Sequence, residues 1–278
     1  MHNYVRSGLS FDVTDEGPTD GRVVIALHGF PEDRSCWSTV IPQLTAQGYR
    51  VLAPDQRGYS PAARPRGRRA YVLSELAADV MALADVAGAD RFDVVGHDWG
   101  AAVAWELAGR HPDRVRTMTA LSVPHPAAMR AAALRGGQLA RSWYMLFFQL
   151  PRIPEMAFRF SGSRRIARTL EADGLDADSA ARYAARLLRP ADSTAALNWY
   201  RAIPLASRHP LPPVHVPVLY VYGDRDTYLT RAAAEGTARH VTGSYRFEVL
   251  QGMSHWLPTG AALRVAELVG QHLADHRA

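Results

Sequence analysis

RFDVVGHDWGAAVAWELAGRHP, residues 91–112, predicts a buried β-strand that passes through a sharp turn into an α-helix. The first part is a short apolar run typical of a buried strand, and the last part has helical spacing. Between them lies GHDWG, residues 96–100, whose small residues permit a tight strand-to-helix turn. A strand that leads directly into a helix in this way is the repeating unit of a parallel α/β sheet.

The flanking sequence continues this alternation of strand and helix. Further apolar β-type runs are RVVIALHGF at 22–30, YRVLAPDQRGYS at 49–60, VRTMTALSVPHP at 115–126, VPVLYVYGDRD at 216–226 and YRFEVL at 245–250. Helical spacing marks residues 74–88, where Gly88 is a plausible helix end, and residues 261–273. The predicted fold class is therefore α/β, with a mostly parallel sheet flanked by helices.

Residues 126–213 interrupt this alternation, because they contain no strong strand signal. The segment has helical patterns broken by five prolines, at positions 151, 154, 190, 204 and 210. We predict that residues 126–213 form an inserted helical cap, or lid, over an α/β core made of residues 1–125 and 214–278.

Two helix starts within the predicted cap are indicated by short polar side chains. Asp178 and Ser179 precede ARYAARLL, and Asp192 and Ser193 precede TAALNWYRA. Asp and Ser are favoured at the residue before a helix, because their side chains accept hydrogen bonds from the first free backbone N–H groups. We therefore predict that each pair caps the helix that follows it.

The composition is that of an ordinary globular protein and excludes several function classes. The chain has 278 residues, 47% of them apolar, and its net charge is +5. It contains no lysine, so all of its permanently positive side chains are arginines. The single cysteine, Cys36, excludes an intramolecular disulfide and a cysteine-based zinc site. The N-terminus lacks the apolar segment of a signal peptide, and no apolar run approaches the roughly 20 residues that span a membrane. We expect a cytoplasmic protein with no membrane partner.

A nucleic-acid partner is also not expected. The densest basic run is RPRGRR, residues 64–69. It is not accompanied by the aromatic stacking platform or the binding motif that nucleic-acid recognition uses. A solvated loop is the better interpretation of this run.

Asp98, at the centre of the GHDWG turn, is the candidate nucleophile. The turn exposes its side chain above the sheet, near the N-terminus of a helix that favours a negative charge. A carboxylate attacks amides and esters poorly, because it is a better leaving group than the amine or alkoxide it would displace. It attacks an sp3 carbon that bears a leaving group, which leaves an ester on the enzyme. Water must then hydrolyse that ester.

The hydrolytic step requires a base and an acid that orients it, and candidates for both follow later strands. In folds with this turn the chain order is nucleophile, acid, histidine. His255 lies in GMSHWLP, between the last strand and the last helix, where it would activate water. VYGDRDTYL offers two carboxylates, Asp224 and Asp226, as the acid behind it.

HGFPE, residues 28–32, follows the first strong strand and is placed to stabilise a developing negative charge. The backbone N–H groups of Phe30 and of Trp99, the residue after the nucleophile, are the candidate oxyanion donors. His28 is interpreted as a structural polar residue beneath the site.

These motifs together resemble the epoxide hydrolases of the α/β-hydrolase fold, over nearly the whole chain. The blocks that carry the resemblance are, in order, HGFPE, DQRGYS, GHDWG, VPHP, LNWYR, GDRD and GMSHW. The resemblance implies a triad of Asp98, Asp226 and His255, and it assigns Asp224 to a loop or capping role. It implies an epoxide and water as the substrates, with no metal and no organic cofactor. The oligomeric state, monomer or homodimer, stays open.

The resemblance also implies two tyrosines of the cap that hold and protonate the epoxide oxygen. Tyr200, in LNWYR, matches one of them, and Tyr144, before an aromatic-Gln-Leu-Pro block, matches the other. Opening a strained ether generates an alkoxide, for which a phenol is a suitable acid. The neighbouring Trp143 and Trp199 are predicted to belong to the core of the cap.

Two other functions use the same fold. A haloalkane or haloacid dehalogenase also attacks carbon with an aspartate, and Trp99 would then donate its indole N–H to the departing halide. Haloalkane dehalogenases usually have Asn or Glu where Phe30 stands, and the fluoroacetate type has Arg where Trp99 stands. A halide also needs no proton, so paired tyrosines favour the epoxide. A non-catalytic ligand-binding protein of this fold is disfavoured, because all three triad residues are present.

Overall fold

The computed structural model describes residues 1–135, 137–206 and 210–277, and these contain an eight-stranded sheet. The strands are β1 (Asn3–Arg6), β2 (Leu9–Glu16), β3 (Arg22–Leu27), β4 (Tyr49–Pro54), β5 (Phe92–His97), β6 (Val115–Leu121), β7 (Val218–Gly223) and β8 (Tyr245–Leu250). Their order across the sheet is β1-β2-β4-β3-β5-β6-β7-β8.

Six of the strands, β3 to β8, pair in parallel, which confirms the predicted mostly parallel sheet. The carboxyl ends of these strands lie along one edge, so residues that follow different strands are brought together there. The antiparallel strands β1 and β2 extend the other side of the sheet beyond β4. They were not predicted, because they bury few side chains: Tyr4 in β1, and Phe11 and Val13 in β2 with Asp12 between them.

Helices cover both faces of the sheet. They are α1 (Val40–Thr45), α2 (Leu73–Val86), α3 (Trp99–Arg110), α4 (Pro126–Arg135), α5 (Gln138–Arg141), α6 (Trp143–Phe147), α7 (Ile153–Ala172), α8 (Ala177–Leu187), α9 (Pro190–Ala202), α10 (Arg231–Gly236), α11 (Leu257–Gly260) and α12 (Ala262–Asp275). Successive strand residues point to opposite faces. Ile25 of β3 therefore packs in the same apolar cluster as Trp105 of α3, whereas Val24 packs with Trp37 and with Leu268 of α12.

The segment between β6 and β7 is helical, as predicted from its lack of strand patterns. It contains α4 to α9, and none of its described residues forms a strand. Tyr144 lies on α6, and Tyr200 lies on α9. Trp199, also on α9, is fully buried, but the prediction that it belongs to the core of the cap was wrong, because it packs in the main apolar cluster with residues of the sheet. Its indole N–H donates to the Arg57 carbonyl oxygen at 2.8 Å.

The predictions for the two helix starts were wrong by a few residues. Helix α8 begins at Ala177, where the side chain of Asp176 caps it by accepting a hydrogen bond from the Ser179 N–H at 2.9 Å. Asp178 and Ser179 therefore lie inside the helix. Helix α9 begins at Pro190, since a proline in the first turn has a suitable φ and needs no hydrogen-bond acceptor. Asp192 and Ser193 accordingly lie inside that helix too.

The prediction that Trp143 is a core residue was also wrong, because its side chain is 64% exposed. Helix α6 has only five residues, so it can turn one narrow face inward. Tyr144 and Phe148 occupy that inner side, where they pack beside Tyr200, and Trp143 points outward. Across the described residues, no helix has both the length and the apolar character needed to cross a membrane.

Candidate active site

Asp98 lies at the sharp turn between β5 and α3 and has a strained backbone. Its φ of 49° and ψ of −118° are unusual for a residue with a side chain. The turn is tight enough that a Cβ on Gly100 would lie 2.1 Å from the Leu27 carbonyl oxygen. The predicted requirement for small residues around Asp98 is thus explained by contact with the end of β3.

The Asp98 carboxylate receives one backbone hydrogen bond from the loop after β3. The Phe30 N–H donates to Oδ1 of Asp98 at 2.8 Å. The Trp99 N–H is in the adjoining helix turn, and no hydrogen bond joins it to this carboxylate among the described residues. Of the two candidate oxyanion donors, Phe30 is therefore in contact with the reacting group in the resting structure.

His255 lies between Asp98 and Asp226. Its Nδ1 is 2.7 Å from Oδ2 of Asp226, and its Nε2 is 3.5 Å from Oδ2 of Asp98. The other oxygen of Asp226 accepts hydrogen bonds from the N–H groups of Tyr228 and Leu229, at 2.8 and 2.9 Å. Asp226 is thereby held in place and ready to orient the imidazole.

Asp224 lies elsewhere. Its carboxylate is exposed and accepts a hydrogen bond from the Gly252 N–H at 2.6 Å. This contact joins the loops after β7 and β8 and does not involve His255. The structure therefore brings Asp226, and not Asp224, into contact with the histidine.

The charges of this group shift the pKa values of its members. Burial lowers the pKa of His255, but the neighbouring carboxylates of Asp226 and Asp98 outweigh it and hold that pKa well above its ordinary value. Burial raises the pKa of Asp98, but the hydrogen bond and charge of His255 outweigh that effect and lower it. At neutral pH the resting site therefore holds an imidazolium next to an ionised carboxylate.

A second histidine supports the loop that carries His255. Nε2 of His97 lies 2.9 Å from the His255 carbonyl oxygen, and the Ser122 hydroxyl donates to the same oxygen at 2.8 Å. Nδ1 of His97 lies 2.7 Å from Oε2 of Glu32, and both side chains are fully buried. Because the carbonyl can only accept, Nε2 of His97 donates to it, and the Glu32 carboxyl group contacts the other nitrogen of the ring.

Sequence analysis missed the contribution of Glu32, His97 and Ser122. His97 ends a buried strand, Ser122 directly follows one, and Glu32 is the last residue of HGFPE. A polar residue at these places was the available signal. His28, interpreted as structural, is fully buried, and its Nε2 accepts a hydrogen bond from the Gln56 N–H at 3.1 Å.

The two candidate tyrosines line the same aromatic cluster above Asp98. The Tyr200 ring packs edge-on against Phe30 at 5.3 Å and against Trp99 at 5.1 Å between ring centroids. The Tyr144 ring lies 6.0 Å from that of Tyr200. Burial is the main cause that raises the pKa of both phenols well above the ordinary value, and the negative charge of Asp98 adds to it. Both hydroxyls are therefore protonated and able to donate.

Tyr228 is a further aromatic residue of the site, which sequence analysis did not single out. Its ring lies 4.9 Å from the His255 ring and 5.8 Å from the Tyr144 ring. Burial, followed by the negative charge of Asp173, raises the pKa of its phenol. The Tyr228 ring thus packs against both the candidate base and one of the candidate proton donors.

Comparison with known proteins supports the fold and the class of chemistry. A sequence model of the α/β hydrolase fold family matches residues 22–259. An AB hydrolase superfamily protein from Bacillus subtilis, YfhM, is 34% identical, and the match covers 97% of this chain and 96% of that protein. Epoxide hydrolase A of Mycobacterium tuberculosis is 33% identical and covers 90% of each chain. The crystal structure of epoxide hydrolase A from Mycobacterium thermoresistibile superposes with a TM-score of 0.83 at 28% identity, covering 98% of this chain and 97% of that one.

Proposed function

We propose, from the premise that this chain belongs to the epoxide hydrolases of the α/β-hydrolase fold, that it converts an epoxide to a vicinal diol through an ester on Asp98. The observation that carries this proposal is the position of Asp98. Its carboxylate contacts the Phe30 N–H and His255 on one side. The cluster that contains two protonated, buried tyrosines, Tyr144 and Tyr200, covers the site.

In the first step Asp98 attacks one carbon of the epoxide ring. A C–O bond forms between Oδ of Asp98 and that carbon, and the ring C–O bond breaks with its electron pair on the oxygen. The resulting alkoxide takes a proton from Tyr144 or Tyr200, which leaves a hydroxyl on the substrate and a tyrosinate on the enzyme. A halide leaving group would not use this proton, so the phenols favour an ether substrate over a haloalkane.

Alkylation also prepares the second step, because an ester carries no charge. Once Asp98 is esterified, one of the two negative charges that raise the pKa of His255 is gone. The imidazolium then releases a proton, which restores the phenol, and becomes a neutral base. His255 next takes a proton from water, and the hydroxide attacks the ester carbonyl of Asp98.

The tetrahedral intermediate places a negative charge on an oxygen of Asp98. The Phe30 N–H already points at this carboxyl group, and we assign the second oxyanion donor to the Trp99 N–H, which makes its bond as the carbonyl carbon becomes tetrahedral. Collapse of the intermediate breaks the ester, and the departing alkoxide takes the proton from His255. The Asp98 carboxylic acid formed in this way gives its remaining proton to His255, which restores the carboxylate and the imidazolium of the resting site, and the diol leaves.

The helices between residues 126 and 213 act as the cap in this proposal. They provide Tyr144 and Tyr200 and cover the carboxyl edge of the sheet, where they exclude bulk water from the ester. The chemistry is complete with side chains of this chain, the epoxide and water, so the proposal includes no cofactor.

A single turnover of styrene oxide in heavy-oxygen water tests the covalent step. The first diol formed should carry an unlabelled oxygen from Asp98, and the label should appear in the Asp98 carboxylate. Labelled oxygen in the first diol would mean direct attack of water and would refute the mechanism.

A second experiment tests the choice of substrate. Styrene oxide and a bromoalkane are compared as substrates of the wild type and of the double variant Tyr144→Phe/Tyr200→Phe. We expect epoxide turnover to be lost in the double variant by a factor of about 10²–10⁴, the usual contribution of general acid catalysis. Full epoxide activity in the double variant, or preferential turnover of the bromoalkane by the wild type, would overturn the proposal.

A further inference from the structure

Asp173 connects the inserted helices to the two loops that carry the candidate acid and base. It directly follows α7, and its Oδ1 accepts a hydrogen bond from the Thr227 hydroxyl at 2.6 Å. Its Oδ2 accepts one from the Trp256 indole N–H at 3.0 Å. Thr227 directly follows Asp226, and Trp256 directly follows His255. One carboxylate therefore holds the neighbours of both residues.

The residue after Asp173 adds a close backbone contact with the same region. Gly174 has a φ of +101°, and a Cβ at this position would lie 2.6 Å from the Ser254 hydroxyl oxygen. Ser254 directly precedes His255. The turn at residues 173–174 thus lies directly against the His255 loop, and a side chain on Gly174 would force the two apart.

The apolar part of Trp256 is fixed by the same helices. Its ring is 2% exposed and packs in a cluster with Leu170 of α7, with Leu175, and with Tyr183 of α8. The indole N–H is its only polar group, and a buried N–H without an acceptor costs roughly 1–3 kcal/mol. Asp173 supplies that acceptor, so it determines the orientation that Trp256 can take without this cost.

We propose that Asp173 is a positioning residue that keeps Asp226 and His255 aligned for hydrolysis of the alkyl-enzyme, an inference that rests on the proposed function. The two steps depend on it differently. Ring opening uses Asp98 and the two cap tyrosines. Hydrolysis uses the Asp226–His255 pair, whose adjoining residues are the ones that Asp173 holds. Loss of its hydrogen bonds should therefore slow the second step selectively.

The test compares three variants in rapid-mixing experiments with styrene oxide, in which formation and decay of the alkyl-enzyme are followed separately. Asp173→Ala removes both hydrogen bonds. Asp173→Asn can keep both, because its amide oxygen accepts from Trp256 and its amide N–H donates to the Thr227 hydroxyl. Glu171→Ala is the matched control, since it removes an exposed carboxylate two residues earlier, in the last turn of α7.

We expect the decay of the alkyl-enzyme to be slowed by about ten- to a hundredfold in Asp173→Ala, the scale of a small misplacement of a catalytic group, while its formation changes by less than about twofold. Asp173→Asn and Glu171→Ala should decay at nearly the wild-type rate. Equal slowing of both steps, unchanged decay in Asp173→Ala, or equal impairment of the Asn and Ala variants would overturn the inference. If Asp173→Ala does not fold, Trp256→Phe removes the indole donor of one of the two hydrogen bonds to Asp173 and carries the same expectations.

A spectroscopic measurement separates this inference from the proposed function. The Nδ1–H proton of His255, bonded to Asp226 at 2.7 Å, should give a low-field proton resonance in the wild type. We expect this resonance to broaden through exchange with water in Asp173→Ala and to be retained in Asp173→Asn. An unchanged resonance in Asp173→Ala would refute the alignment role. A wild type that forms no alkyl-enzyme with epoxides would instead refute the proposed function, and the resonance would still decide whether Asp173 aligns the pair.

Discussion

Replacing Asp98 by Asn should make His255 lose its proton at a lower pH, because it removes the negative charge nearest to Nε2. The two groups are 3.5 Å apart, the carboxylate is 14% exposed and the imidazole is 3% exposed. At an effective dielectric constant of about 20, two unit charges at this distance attract each other by on the order of 5 kcal/mol. Asn has nearly the same shape as Asp and no charge, so it imitates the charge state of the esterified enzyme.

The assay is a pH titration of histidine ring resonances by NMR, with His255 assigned by comparison with a His255→Gln variant. In the wild type the pKa of His255 should lie well above its ordinary value, as its two carboxylate neighbours require. In Asp98→Asn it should be clearly lower. Asp224→Asn is the control, since this exposed carboxylate bonds to the Gly252 N–H and should leave the titration of His255 unchanged.

An unchanged pKa of His255 in Asp98→Asn would refute the reasoning that alkylation converts this residue into a base. The same reasoning sets the direction of the pH dependence of turnover. Hydrolysis of the alkyl-enzyme needs neutral His255, so its rate should rise as the pH increases through the pKa of His255 in that intermediate.

Three further predictions follow from the same site and its supports. Asp226→Asn should slow alkyl-enzyme hydrolysis by about 10²-fold or more, whereas Asp224→Asn should stay near the wild type in the same rapid-mixing assay; equal effects would contradict the choice of acid. Alkylation needs ionised Asp98, whose pKa is lowered, so the alkylation rate should persist at acidic pH and be lost only below the ordinary pKa range of a carboxyl group. A loss of the alkylation rate above that range would contradict the ion pair of Asp98 with His255. Asp79→Ala should destabilise the protein by about 3–5 kcal/mol, because it leaves the buried Arg57 guanidinium without the two 2.7 Å bonds it donates to that carboxylate; a melting temperature within about one degree of the wild type in calorimetry would contradict this.

The sheet and the nucleophile turn were predictable because their signals are local. The apolar run before Asp98 and the helical spacing after it lie within 22 consecutive residues, and β3 to β8 each have a similar run. Strands β1 and β2 escaped prediction because they bury few side chains, one in β1 and two in β2. The helix starts were misplaced because Asp176 and Asp178 are equally suitable caps in sequence, and only the path of the chain selects one of them.

The supports of the site depend on contacts between distant parts of the chain, so no spacing rule reveals them. Glu32 meets His97 across 65 residues, and Asp173 meets Trp256 across 83. The choice between Asp224 and Asp226 needed either a family resemblance or the structure, because both carboxylates follow the same strand. The outward position of Trp143 likewise results from the shortness of α6 and the burial of Tyr144, which composition does not indicate.

The two hydrogen bonds to the His255 carbonyl oxygen affect which parts of the protein can change without moving the base. His97 at the end of β5 and Ser122 just after β6 both hold this oxygen, so the base is attached to the strand that leads into Asp98 and to the strand beside it. Nucleophile and base therefore form a module whose spacing does not depend on most of the inserted helices. A chimera that exchanges residues 126–152 but keeps Gln138, Arg141 and Tyr144, together with the turn at residues 173–174, would alter substrate preference while retaining the distance between the two reacting groups. Substrate preference can thus change in evolution while Asp98 and His255 keep their relative positions.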